Sequence, residues 1–281
     1  MGFAEFLRER QYLLNVSTAT LDWYKNAFKW LPSASPSQAD LKDVVMRMRA
    51  KGLRPTGCNS SICAINSYLK WAGSPDRIAY LKEDQRILPT FTPAQVLLLT
   101  KHKPKGTYPV RLHVIVLVLL DTGTRIDEVL TLRVQDVDMD NLLLTVTGKG
   151  RKQRRIPFSF ELRRVLYRYI ADRQGLVFAT RYGKKVGRRN VLRDVKLLCR
   201  KLGFAPPERT LHAFRHTFAV NYLRRGGGVF HLQKVLGHSS LDMTRRYASL
   251  MTEDLQAVHQ SFILRERRNA PWVLTCPRDL L

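Results

Sequence analysis

The chain has 281 residues, with 48 Lys+Arg against 23 Asp+Glu, a formal net charge of +25 and an isoelectric point near 10.5. An apolar share of 44% is enough for packed cores and excludes a largely disordered chain, and the length predicts two domains. The charge bears on the partner rather than the fold: it favours a polyanion, nucleic acid before an anionic membrane surface.

Targeting and redox signals are few. Cys58, Cys63, Cys199 and Cys276 lack CxxC spacing, so they read as ordinary thiols of a reducing compartment, without a zinc cluster or a disulfide framework. The opening MGFAEFLRERQYLL carries charges throughout and lacks a signal peptide's apolar core. The longest apolar run, 114–120, is far short of the roughly 20 residues that span a bilayer. The expectation is a soluble, intracellular protein that does not engage a membrane.

Residues 1–80 read as four short helices with a basic surface. Thr18 can cap a segment through Leu21, Trp23, Tyr24, Phe28 and Leu31, whose apolar residues recur at helical spacing until Pro32 and Pro36 break the pattern. Ser37 opens a helix with Leu41, Val44, Val45 and Met48 on one face, ended by Gly52. Another runs from about 56 to 71 and stops before Gly73 and Pro75. Residues 81–91, LKEDQRILPTF, have no amphipathic period and are assigned as a linker. Residues up to 88 carry 13 basic and 8 acidic side chains, net +5; the remainder, with 35 and 15, carries +20.

The second domain, 92–281, starts with Thr92 before Pro93, an N-cap followed by proline at the first helical position. Helical stretches are predicted at about 93–101 and 110–121, followed by the Gly-containing break DTGTR. Leu142–Thr147 and Gln153–Pro157 read as strands of a hairpin with Lys149 at its tip. Helices follow at about 160–173, 187–202, 210–225, 229–236 and 252–263. The fold class is mainly α, with a small all-α domain and a mixed α/β domain containing a small antiparallel sheet.

Five short patterns carry the chemistry: TGTRIDE at 122–128, GKG at 148–150, HAFRH at 212–216, LGH at 236–238, and Tyr247. Singly each has an ordinary structural reading: a turn, a helix-end hydrogen bond, a half-buried aromatic. Together they supply two arginines, a lysine and histidines, which suit the charged non-bridging oxygens of a pentacoordinate phosphorane. They also supply a tyrosine hydroxyl able to hold a DNA end as a phosphodiester. His212 and Arg215, at i, i+3, share one helix face. With no carboxylate cluster, metal motif or P-loop in the sequence, the reading is phosphoryl transfer without metal, ATP or other cofactor.

These segments resemble the tyrosine recombinase (phage integrase) family, whose pattern is Arg…Lys…His-x-x-Arg…His…Tyr. Arg125, Lys149, His212, Arg215, His238 and Tyr247 match it in order, and the likeness spans about 92–262. The helical 1–80 module is similar to that family's core-binding domain, so the two domains are expected to form a DNA clamp. The resemblance implies that Arg125 and Arg215 bind the scissile phosphate and that Lys149 protonates the leaving 5′ hydroxyl. It further implies that His212 assists proton transfer at the tyrosine, that His238 hydrogen-bonds the phosphate, and that Tyr247 is the nucleophile of a 3′-phosphotyrosyl link. Glu128 resembles the family's acidic support for the first arginine, and His216 is assigned a structural role.

The basic runs are expected to line double-stranded DNA at specific recombination sites, mostly through phosphates. They comprise Lys149, Arg151, Lys152, Arg154 and Arg155 around the hairpin, then Arg181, Lys184, Lys185, Arg188, Arg189, Arg193 and Lys196. The resemblance implies a tetramer on DNA; the net charge favours monomers in free solution. Residues 264–281, with Trp272, Val273, Leu274, Leu280 and Leu281, read as a tail for protomer contact, docking in trans or in cis. No arm-binding domain is expected ahead of the first helices, and the expected location is the cytoplasm, on the nucleoid. The leading reading is a site-specific recombinase of a mobile element or of Xer-like resolution. The alternatives are a type IB topoisomerase-like enzyme and a DNA-binding architectural protein without catalysis.

Overall fold

The computed structural model describes residues 2–83, 88–148 and 152–237, together with Thr244 and Tyr247. The chain divides into two compact units, Met1–Arg86 and Ile87–Leu281.

In the first unit, short-range chemistry sets where helices start. Helices α1 (Phe3–Tyr12), α2 (Thr18–Phe28), α3 (Gln38–Ala50) and α4 (Pro55–Trp71) follow one another. The Ser17 hydroxyl accepts the Thr20 amide, Ser37 and Asp40 cap α3 reciprocally, and Pro55 occupies the first turn of α4. The cap of α2 is thus Ser17, one residue before the Thr18 read from sequence. The apolar faces meet in one cluster that buries Phe6, Tyr24, Phe28, Met48, Ile62, Ile65 and Tyr68. Phe6 packs edge-on against Tyr24, Phe28, Tyr68 and Trp71, with ring centroids between 4.9 and 5.7 Å apart.

The segment read as a linker is docked at both of its described ends. Asn59 holds Leu81 at both backbone groups: its Oδ1 accepts the Leu81 amide at 2.8 Å and its Nδ2 donates to the Leu81 carbonyl at 2.9 Å. At the other end the Phe91 amide donates to the buried Thr217 hydroxyl at 2.8 Å, and the Phe91 ring packs on Phe214. A segment without amphipathic period can still be tied down by its backbone groups, which need partners wherever they are covered.

The second unit contains α5 (Pro93–Lys101), α6 (Thr107–Thr122), α7 (Ile126–Leu130), α8 (Phe160–Ile170), α9 (Arg188–Lys201), α10 (Thr210–Arg224) and α11 (Val229–Leu236). Thr92 caps α5 reciprocally with Gln95, and α6 begins three residues before the expected 110. Strands β1 (Val137–Asp138), β2 (Leu143–Thr147) and β3 (Gln153–Pro157) form an antiparallel sheet in the order β1-β2-β3. Leu144 faces Ile156 and Val146 faces Arg154 across the hairpin. Strand β1 and helix α7 were not assigned from sequence; elements of two and five residues are too short to show a period.

The fold is mainly helical with one small antiparallel sheet, as the sequence implied. Within the second unit, helix α10 is buried along much of its length, at Leu211, Phe214, Arg215, Ala219 and Val220, and it packs on both α6 and α9. No helix among the described residues is long and apolar enough to cross a membrane. The expected helix at 252–263 and the tail at 264–281 fall outside the described residues.

Candidate active site

Arg125 follows a buried turn. The Thr122 hydroxyl donates to the Val118 carbonyl at 2.7 Å, and the hydroxyls of Thr122 and Thr124 lie 2.9 Å apart, so TGT is held from within. Arg125 then caps α7. Its amide donates to Glu128 Oε2 at 2.9 Å and its Nη1 to Glu128 Oε1 at 3.1 Å. The Arg125 side chain stays 38% exposed, so it is oriented and still reachable. Burial alone would raise the Glu128 carboxyl, but the Arg154 hydrogen bonds, the Arg125 amide and the two guanidinium charges hold it below the ordinary glutamate value.

The second arginine is deeper. Arg215 is 5% exposed and donates to the Gly123 carbonyl at 3.0 Å and to the Leu236 carbonyl at 2.6 Å. One side chain thereby ties the TGTR turn to the end of α11. Burial, then the Arg125 charge, lower its pKa to about 10, so it remains a cation at neutral pH.

Tyr247 is buried among Ala219, Val220, Leu223, Leu232 and Leu236. Its hydroxyl lies 2.8 Å from His216 Nδ1, and the two rings are tilted with centroids 5.6 Å apart. Burial, with the nearby His212 and Arg215, pushes the His216 imidazole down to about 4, so at neutral pH it is uncharged. His212, one turn earlier, keeps an exposed edge, and its pKa is also lowered, by partial burial of its ring and by the Arg188 and Arg209 charges. The sequence reading assigned His212 to the tyrosine and gave His216 a structural role. In the structure His216 is bonded to the Tyr247 hydroxyl. The i, i+4 spacing of the two histidines, which gives them one helix face, was the signal available for this.

The structure thus brings Arg125, Glu128, Arg215, His216 and Tyr247 into one bonded neighbourhood around α10 and the turn before α7. Lys149, Arg151 and His238 lie outside the described residues. Among the basic residues expected at DNA, Lys152, Arg155, Lys184, Lys185, Arg188 and Arg189 are exposed. Lys184 and Lys185 sit on a turn closed by bonds between Thr180 and Lys184, and Arg188 opens α9 while reaching Asp127 at 3.3 Å.

Arg154 departs from its expected role. Its side chain is 15% exposed, and its three nitrogens are engaged: Nη1 and Nη2 on the Glu128 carboxylate at 2.9 and 2.8 Å, and Nε on the Val235 carbonyl at 3.0 Å. Strand alternation carried this signal, because Arg154 shares the inward face with the fully buried Ile156, whereas Arg155 points outward.

Comparison with known proteins identifies the family. The model of the phage integrase family matches residues 89–253. The chain belongs to the phage integrase family. It is accordingly a site-specific DNA recombinase, an enzyme that cuts and rejoins strands through a tyrosine. It is 31% identical over 241 residues to tyrosine recombinase XerA of Pyrococcus furiosus, covering 82% of each chain. It is 28% identical to tyrosine recombinase XerC of Xanthomonas campestris pv. campestris, covering 94% of this chain and 88% of the relative. Among solved structures the recombinase fold superposes on the Tn1549 transposon integrase in complex with transposon right end DNA, with a TM-score of 0.75 at 22% identity, over 92% of this chain and 98% of that one. The XerH recombinase bound to difH substrate gives 0.68 at 16% identity, over 92% and 84%.

Proposed function

We propose that this recombinase works by attack of the Tyr247 oxygen on the scissile phosphorus, with departure of the 5′ oxygen. A P–O bond to tyrosine forms as the P–O5′ bond breaks, so one phosphodiester replaces another and no high-energy cofactor is needed. Arg125 and Arg215 bind the non-bridging oxygens, whose charge grows as the phosphorane forms. The uncharged His216 accepts the tyrosine hydroxyl's hydrogen bond at Nδ1 and aims it; His212, exposed beside it, assists removal of the proton. Lys149 protonates the leaving 5′ oxygen, and His238 hydrogen-bonds the phosphate. Religation runs the same steps in reverse with a new 5′ hydroxyl. The observation that carries this reading is the 2.8 Å bond between the tyrosine hydroxyl and a neutral histidine next in sequence to a buried arginine.

The DNA partner is a duplex carrying specific recombination sites, gripped by the first helical unit and by the basic faces of the second. Two sites, each cleaved on both strands, call for four tyrosines and so for a tetramer on DNA. Residues 264–281 link neighbouring protomers through their apolar tip. Such a protein acts in the cytoplasm on the nucleoid, as a mobile-element integrase or an Xer-like resolvase; similarity to both a transposon integrase and Xer proteins supports either role. The test uses a nicked suicide substrate containing sites selected from random DNA. Wild-type protein should form a covalent adduct, and Tyr247→Phe should bind the DNA with nearly unchanged affinity and form none. An adduct with Tyr247→Phe would overturn the nucleophile assignment.

A further inference from the structure

The Glu128–Arg154 ion pair reaches further than support of Arg125 alone requires, and its engaged guanidinium is not that of a DNA contact. Glu128, on α7, takes both terminal nitrogens of Arg154 while also receiving the Arg125 amide and Nη1. Arg154, on β3, simultaneously donates from Nε to the Val235 carbonyl in the last turn of α11. One buried pair therefore joins three segments that are far apart in sequence.

Two glycines pack on that pair. A Cβ on Gly148 would lie 3.2 Å from Arg154 Nη1 and 3.5 Å from Glu128 Oε1. A Cβ on Gly237 would lie 3.0 Å from Arg154 Cδ and Nε, and Gly237 also holds φ +64°, where side chains are strained. The backbone approaches the guanidinium at both places because no side chain is there. Gly148 immediately precedes Lys149, and Gly237 immediately precedes His238.

We propose that Arg154 is a positioning residue: paired with Glu128, it sets the guanidinium of Arg125 and the points from which the segments bearing Lys149 and His238 depart. This rests on the roles given to those residues above. It replaces the reading of Arg154 as a phosphate contact. A buried guanidinium with fixed geometry suits this task because its planar fork holds a carboxylate bidentately and leaves Nε for a third partner, which lysine cannot reproduce.

The test compares wild-type protein, Arg154→Lys and Arg154→Gln, with Gly237→Ala as a variant that crowds the guanidinium without removing it. Single-turnover cleavage at saturating DNA is followed on a suicide substrate with a 5′-oxygen or a 5′-sulfur leaving group, the latter needing no protonation. Cleavage amplitude reports the folded, competent fraction, and the rate constant reports alignment. The expected result is a rate constant reduced at least tenfold in Arg154→Lys and further in Arg154→Gln, with dissociation constants within threefold of wild type. The salt dependence of binding should keep its slope, and the sulfur-to-oxygen rate ratio should rise above that of wild type. A lost phosphate contact would instead lower the slope by about 0.9 and leave the saturated rate unchanged, which overturns the proposal. A loss confined to amplitude, at wild-type rate constant and ratio, reduces Arg154 to a folding role and overturns it as well. Should Arg154→Gln not fold, Arg154→Lys and Gly237→Ala carry the same readouts. Wild-type cleavage in the same assay separates these outcomes from failure of the recombinase reading itself.

Discussion

The two units bury different things. The first is held by aromatic and aliphatic packing around Phe6, and its hydrogen bonds cap helices, tie backbone ends and join side chains at the rim of that core, as Trp71 donates to Glu9 and Trp23 to Ser60. Every buried threonine, glutamate and arginine among the described residues lies in the second unit: Thr122, Thr124, Glu128, Thr210, Arg215, Thr217 and Thr244. Burying such groups costs free energy unless each is paired, so they persist where pairing orients chemistry. The contrast is between a unit built for packing and a unit whose interior holds the proposed reactive site.

The sharpest break of that contrast sets Arg215→Met against Phe6→Ala. Loss of Arg215 leaves the Gly123 and Leu236 carbonyls unsatisfied, at roughly 1–3 kcal/mol each, and removes the proposed donor to the phosphate, which should slow cleavage by roughly 10²–10³-fold. Phe6→Ala should cost about 3–5 kcal/mol of stability and leave the single-turnover rate constant of the folded, DNA-saturated protein unchanged. Suicide-substrate kinetics and thermal unfolding read both. A slowed rate constant in folded Phe6→Ala protein would mean the packing unit takes part in alignment.

Acid should separate the units next. All seven histidines follow residue 101, and burial holds His113, His212 and His216 below their ordinary values, His216 at about 4. The unfolded chain is then the better proton acceptor, so this stability is complete above about 6.5 and is lost as pH falls toward 4. Glu128 is held below the ordinary glutamate value, so its contribution is lost only on further acidification than an ordinary glutamate would need. Far-UV circular dichroism should show the second unit weakening between those pH values. Tryptophan fluorescence in a Trp272→Phe protein, which leaves Trp23, Trp30 and Trp71 of the first unit, should not follow it. A parallel loss in both signals would show that the units unfold together.

The charge difference predicts a smaller effect. With net +20 after residue 88 against +5 before it, binding should depend strongly on salt, and neutralising Lys184 and Lys185 to Ala should lower the slope by about 0.9 per lost phosphate contact. An unchanged slope would remove the 180–185 turn from the DNA surface. Smallest is Ser37→Ala, which removes the α3 cap and should cost about 1 kcal/mol with cleavage and binding untouched. A thermal scan beside the cleavage assay checks it.

Much of this protein was legible one segment at a time. Ser37, Thr92 with Pro93, and the hairpin strands announced their elements because caps, proline positions and alternation act over a few residues. The pairing of Arg125 with Glu128 was implied by the family resemblance, and it is met within one helical turn. What sequence alone did not decide was which partners the inward basic and imidazole side chains meet. Arg154 stands in a run of cations that reads as a DNA face; strand alternation marks its side, but only the fold brings Glu128 and Val235, 26 and 81 residues away in sequence, to its guanidinium. His216 becomes the tyrosine's partner only when Tyr247, 31 residues on, returns to α10. Local propensities act along the chain, whereas the pairing of a buried charge or hydroxyl depends on what the fold carries to it from elsewhere, and that was fixed by tertiary structure alone.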